Sequence, residues 1–207
     1  MTRHLSPDER LPETPSQTAG PYVHIGCTPG FTGLSMAWPD AGEQMKTGPV
    51  KGQEITITGR VLDGTGAPLR DAMVEIWQAD ADGLFAAAHE ARGKADPNFT
   101  GWGRSATDME TGHFHFDTVK PGAVPWPDGR LQAPHITFWI VARGINIGLH
   151  TRLYFDDEPE ANAADPILNR IEHRDRIPTL LARGDGAGAY TFDIHLQGPQ
   201  ETIFFDI

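Results

Sequence analysis

Three stretches of the chain carry side chains spaced for chemistry. In His113-Phe114-His115, alternation along a strand sends both imidazoles to one face, where two of them can ligate zinc or copper; Asp108, Glu110 and Asp117 lie close by in sequence. The same alternation turns Phe114 and Phe116 to a core and both histidines to water. No further ligand is fixed, so the solvent-facing reading is preferred. In "APHITFWI" (133–140), His135 and Thr137 leave one strand face together. A His-x-His pair there would offer two imidazoles to one metal ion, and a hydroxyl stands in place of the second. With Ile136, Phe138, Trp139, Ile140 and Val141 around it, a lone His135 reads as a hydrogen-bonded residue in or beside the core. Arg143 follows this strand at once in "VARGINIG". A strand-end arginine is a good clamp for a carboxylate, because its planar fork gives two parallel charge-assisted hydrogen bonds. It also reads as a surface residue paired with one of 28 acidic side chains, and the residues alone leave both readings open.

Other chemistries find no support. There is no Gly-x-Ser-x-Gly elbow, no Gly-x-Gly-x-x-Gly and no phosphate loop, and Cys27 lies in a Pro- and Gly-rich stretch with nothing to activate it. A formal charge of −11 and a pI near 5.1 argue against nucleic acid and anionic membranes as partners, so an anionic small substrate would need a local basic pocket. One cysteine cannot form an internal disulfide, "MTRHLSPDERLPETPSQ" lacks a secretory apolar core, and no apolar run approaches the roughly 20 residues of a spanning helix. The expectation is a soluble, cytoplasmic protein.

The elements that must position these residues are mostly strands. Residues 1–50 are rich in Pro, Gly, Ser and Thr and read as an extended N-terminal arm. Tyr22, Val23 and Ile25 give that arm apolar anchors for docking. Residues 51–207 read as one domain. "EITITGRVLD", the turn "DGTGAP" and "DAMVEIWQAD" predict a hairpin, and "GRSATDMETGHFHFDTV" predicts a second, turning near Glu110 to Gly112. "APHITFWIVARG", "HTRLYFDD", "AYTFDIHLQG" and "ETIFFDI" follow. Short strands at regular spacing predict a mainly β fold, an antiparallel β-sandwich, with a short helical insertion between Asp165 and Arg183 that Asp165 caps, Pro166 begins and Pro178 interrupts.

Taken together, "LPETPSQTAGPY" (11–22), "GRVLDGTGAPLRDAMVEIWQADADG" (59–83), "DPNFTGWGRSATDMETGHFHFDTVKPG" (96–122), "APHITFWIVARGINIGLHTRLYFDDEP" (133–159) and "ETIFFDI" resemble the intradiol ring-cleaving dioxygenases over nearly the whole chain. Within that family the resemblance is to the alpha chain of a member built from alpha and beta chains. It implies a sandwich-like β core, an enzyme that inserts both atoms of O2 into protocatechuate, and Fe(III) held only by a homologous beta chain in a repeated alpha-beta assembly. The family's iron site has two tyrosines and two histidines. The matching positions here are Phe85, Val124, His135 and Thr137, and the arginine that catalytic chains place before the His pair is Gln132. Phe85 and Val124 have no oxygen to give a hard ferric ion, so the resemblance implies a metal-free chain, inactive alone, whose arm docks on the partner. It further implies that Thr18, Gly20, Pro21, Tyr22 and Arg143 close the partner's substrate pocket, with Arg143 compensating the substrate carboxylate. A free-standing β-sandwich binding module and an independent metalloenzyme using His113 and His115 are the alternatives.

Overall fold

The structure, a computed structural model, describes residues 18–20, 22–146 and 148–206. Period-two alternation builds its strands. Strand β1 (Glu54–Leu62) buries Ile55, Ile57 and Val61; β2 (Met73–Trp77) and β3 (Trp102–Ala106) follow. Strand β4 (His113–Val119) buries Phe114 and Phe116 and exposes His113 and His115. Two short strands, β5 (Val124–Pro125) and β6 (Leu131–Gln132), pair with each other. Strand β7 (His135–Val141) buries Ile136, Phe138 and Ile140, and β8 (Leu149–Phe155), β9 (Leu181–Gly184), β10 (Ala189–Thr191) and β11 (Ile194–His195) complete the set.

The main sheet runs β11-β1-β10-β9-β8-β7-β2-β3, with β4 on the other side of β1. The His115 N–H donates to Ser105 Oγ at 3.2 Å, so β4 lies along β3 and the sheet nearly closes on itself. Its inner faces enclose one core, in which Phe138 of β7 meets Phe114 at 5.9 Å, Phe116 at 6.3 Å and Phe192 at 5.3 Å, all edge to face. Glycine is required at position 59, where an added Cβ would stand 1.8 Å from the Phe192 carbonyl.

The mainly β class is as the sequence predicts, and the purely antiparallel pairing is corrected. Strand β1 pairs parallel with β10 and β11, and β8 pairs parallel with β9. Neither expected hairpin forms a ladder. The turn after β1 exists, with Asp63 Oδ1 accepting from the Thr65 and Ala67 N–H groups, but β2 then pairs with β3 and β7. Likewise β3 pairs with β2 while β4 pairs with β1. Turn chemistry is local and was readable; the strand that each apolar face finds is decided by burial over long distances.

The arm is not extended throughout. Tyr22–Cys27 forms a helical turn, α1, and Pro29–Thr32 a 3-10 turn. On this chain Tyr22 and Ile25 are 82% and 45% exposed, whereas His24, at 6%, and Met45, at 2%, are buried. Arg104 of β3, paired with Glu75 at 2.7 Å, donates to the Cys27 carbonyl at 3.1 Å and holds the turn down.

The helical insertion also differs. The α-helix, α2 (Pro159–Ala164), precedes Asp165, and 3-10 turns at Leu168–Arg170 and Arg174–Leu180 follow it. Asp165 does cap: Oδ1 accepts from the N–H groups of Ile167 and Leu168 at 2.8 Å, and Oδ2 takes the Ala133 N–H at 2.8 Å. This buried carboxylate thereby fixes the approach to β7. Asp165→Ala strands these three donors, and an unsatisfied buried donor costs about 1 to 3 kcal/mol. Urea denaturation should show a loss of about 3 kcal/mol or more, and a loss below about 1 kcal/mol would contradict this role.

Candidate functional site

Both ends of β7 carry candidate chemistry. At its start, His135 is buried, and its Nδ1–H donates to the Ala133 carbonyl at 2.7 Å. Thr137 lies between Trp77 of β2 and Arg152 of β8 in register. Phe85 stacks on Trp77 with ring centroids 6.1 Å apart and planes 3° from parallel. Val124 is buried and pairs with Gln132. Phe85 and Thr137 thus both neighbour Trp77, and Val124 neighbours Gln132, three residues before His135 in the chain.

This donor set does not fit ferric iron. Phe85 and Val124 have no donor atom, and one imidazole with one hydroxyl supplies no anionic oxygen. The charge is also wrong. Arg152, which the sequence reasoning missed, reaches the same face, where its Nη1 donates to Gln132 Oε1 at 2.9 Å and lies 3.4 Å from the Tyr154 hydroxyl. A fixed guanidinium repels a metal cation there. The alternation of "HTRLYF", which places Arg152 and Tyr154 on one face, was the signal for it. His113 and His115 are exposed on β4; the His115 ring pairs with Asp117 at 3.2 Å, and Thr56 donates to that same carboxylate at 2.9 Å. Among the described residues, no group of three or more His, Cys, Asp or Glu side chains could hold a metal ion.

At the other end, β7 runs through Ala142 into a turn that exposes Arg143. Gly144 takes φ +84°, the left-handed conformation that glycine permits, and its N–H donates to Thr18 Oγ1 at 3.0 Å. The Thr18 hydroxyl in turn donates to the Ala142 carbonyl at 3.4 Å. Gly20 accepts from the Val23 N–H at 3.0 Å, and nothing lies within 4 Å of where its Cβ would be, so backbone is open to close approach. Arg143 is 72% exposed and pairs through Nε with Asp71 at 2.5 Å. It borders a cavity of about 440 Å3 walled by Leu69, Ile145, Leu149 and Leu196, with the Asp63 carboxylate and the Asn146 and Gln197 amides. Thr18 is thus bonded to the turn that carries Arg143, and Gly20 and Tyr22 follow it in the arm; Pro21 lies outside the described residues. Six residue steps of β7, roughly 20 Å, separate this group from His135.

The family model described as dioxygenase matches residues 28–198, and the chain belongs to this family, the intradiol ring-cleaving dioxygenases. It is 47% identical over 203 residues to the protocatechuate 3,4-dioxygenase alpha chain of Pseudomonas putida, covering 97% of this chain and 99% of that one. It is also 38% identical over 170 residues to the protocatechuate 3,4-dioxygenase beta chain of Burkholderia cepacia, covering 76% and 70%. Among solved structures, the dioxygenase domain of a dioxygenase carbohydrate-binding protein fusion from Streptomyces sp. SirexAA-E matches at a TM-score of 0.55 and 28% identity, covering 79% of this chain and 93% of that one.

Burial, reinforced by the Arg152 cation, lowers the pKa of His135 from 6.5 to about 4. The unfolded chain takes up this proton first as pH falls. The stability held by neutral His135 is therefore complete above about pH 6.5 and is lost as pH falls toward 4, a gap equivalent to about 3 kcal/mol. Urea midpoints measured across this window should fall more steeply for the wild type than for His135→Gln, which cannot titrate. Parallel slopes would show that His135 is not held neutral by its surroundings.

Proposed function

We propose that the chain serves as the iron-free alpha chain of a two-chain protocatechuate 3,4-dioxygenase. In this reading it lends Thr18, Gly20, Pro21, Tyr22 and Arg143 to a substrate pocket whose Fe(III) is held by a homologous beta chain. The observation that carries it is the 47% identity, over 97% of the chain, with an alpha chain of that enzyme. The assembled enzyme inserts both atoms of O2 between the hydroxyl-bearing carbons of protocatechuate, giving 3-carboxy-cis,cis-muconate. The chain alone is inactive, because the four positions that match the family's ligands cannot bind the metal.

Two further features support a partner. Five of the eight large apolar side chains exposed among the described residues, Tyr22, Ile25, Leu34, Met36 and Trp38, cluster in the arm, and such surface suits a permanent interface. Division of residues 1–50 as a docking arm from 51–207 as the intradiol dioxygenase-like sandwich domain fits this, although α1 and Met45 also pack on the chain's own body. The lone Cys27 suits the cytoplasm, and no helix of the described residues is long and apolar enough to cross a membrane.

In the pocket, Arg143 would meet the substrate carboxylate. An anion removed from water needs a compensating charge, and a guanidinium supplies charge and two aligned donors together. Removing one member of a desolvated charge pair costs about 2 to 5 kcal/mol, so Arg143→Ala in the co-expressed complex should lower kcat/KM for protocatechuate by roughly thirtyfold or more, with iron content unchanged. Arg143→Lys should recover part of this. Catechol, which lacks the carboxylate, should be little affected, and an Arg143→Ala complex with normal kinetics on protocatechuate would remove the residue from the site.

A further inference from the structure

The group that fixes Arg143 is Asp71, in the loop between β1 and β2. Its carboxylate meets Arg143 Nε at 2.5 Å, and its side chain is 24% exposed against 72% for Arg143. The closest approach is at Nε, and the guanidinium side chain is mostly solvent-exposed while Asp71 is the more buried partner. The main chain of Asp71 does a second job. Its carbonyl accepts from His24 Nε2–H at 2.7 Å, which makes His24 Nδ1 the acceptor for the Thr28 hydroxyl at 3.0 Å when the ring is neutral. His24 is buried at 6% and is the hook by which α1 is held to the body. The next residue is fixed as well, since the Ala72 N–H donates to the buried Thr107 hydroxyl at 2.9 Å.

We propose that Asp71 is a positioning residue that sets both walls of the substrate-facing surface, with its carboxylate aiming the fork of Arg143 and its carbonyl tethering α1 of the arm through His24. This rests on the assignment of Arg143 to the substrate carboxylate. A free arginine stem samples many rotamers, and ordering one such side chain on binding costs a factor of roughly two to ten in affinity. Asp71 applies that order beforehand. Its negative charge also repels a ligand anion, but Arg143 stands between the two, taking Asp71 on one edge and leaving the other to the ligand, so orientation outweighs repulsion.

The test uses the assembled complex with Asp71→Asn, which removes the charge and keeps the carbonyl that binds His24. KM for protocatechuate should rise about fivefold to tenfold with kcat changed less than twofold, catechol kinetics should be unaltered, and Asp71→Glu should restore part of the loss. A merely structural role would move both substrates together. In the Arg143→Ala background, Asp71→Asn should add nothing. If Arg143→Ala impairs protocatechuate turnover while Asp71→Asn leaves KM unchanged or lowers it, the positioning role is overturned and the parent reading stands. If Arg143→Ala is itself without effect, both fall.

Discussion

The register of β7 is the constraint on which the rest depends. Held between β2 and β8, it turns Ile136, Phe138 and Ile140 into the core and leaves Thr137 and Trp139 on the opposite face. A slip of one residue would send Thr137 and Trp139 inward and Phe138 outward, losing the edge-to-face contacts with Phe114, Phe116 and Phe192. The same register places His135 and Thr137 at one end of the strand and Arg143 just beyond the other. Packing and chemistry are therefore one choice, because the strand cannot keep its core face and move either site.

Charge separates the two ends. Overall the chain is strongly acidic, yet an arginine lies near each end of β7, Arg152 on the neighbouring β8 opposite Thr137 and Arg143 just beyond Val141. Arg152, tied to Gln132 and close to Tyr154, is inward and occupied; it depresses His135 and makes a second cation unwelcome. Arg143 is outward and held by one edge only. In the proposed complex an anionic aromatic would need such a local exception in an acidic protein, and the guanidinium of Arg143, at the rim of a cavity of mixed lining, supplies the positive charge. The metal chemistry and the anion recognition thus fall to different chains in this account, with the alpha chain keeping the second.

Much of this was legible in the sequence because it depends on local rules. Alternation identified the core face of β4 and the outward turn of His113 and His115, Asp165 was readable as a cap, and the departures at Phe85, Val124 and Thr137 followed from residue type against the family pattern. What depended on distant partners was not legible. Parallel pairing of β1 with β10 and β11 arises from chain segments more than a hundred residues apart. Apolar residues in the arm suggested anchors; on this chain Tyr22 and Ile25 are exposed while Met45 and the polar His24 are buried, and the Asp71 carbonyl that holds His24 could only be found in three dimensions. Asp71 was missed for the same reason, since it acts on residues of another loop and of the arm, whereas Arg152 had a local signal in its strand's alternation and only its partners lay elsewhere.

The central claim is that the metal belongs to the partner and this chain completes the pocket around it. It is tested most directly by metal analysis of the alpha chain separated from its partner under non-denaturing conditions, together with the intact complex. Iron in the complex should equal the number of partner chains, and the separated alpha chain should hold none in stoichiometric amount and show no tyrosinate-to-iron absorption. Iron bound tightly and stoichiometrically by the alpha chain alone would contradict the account.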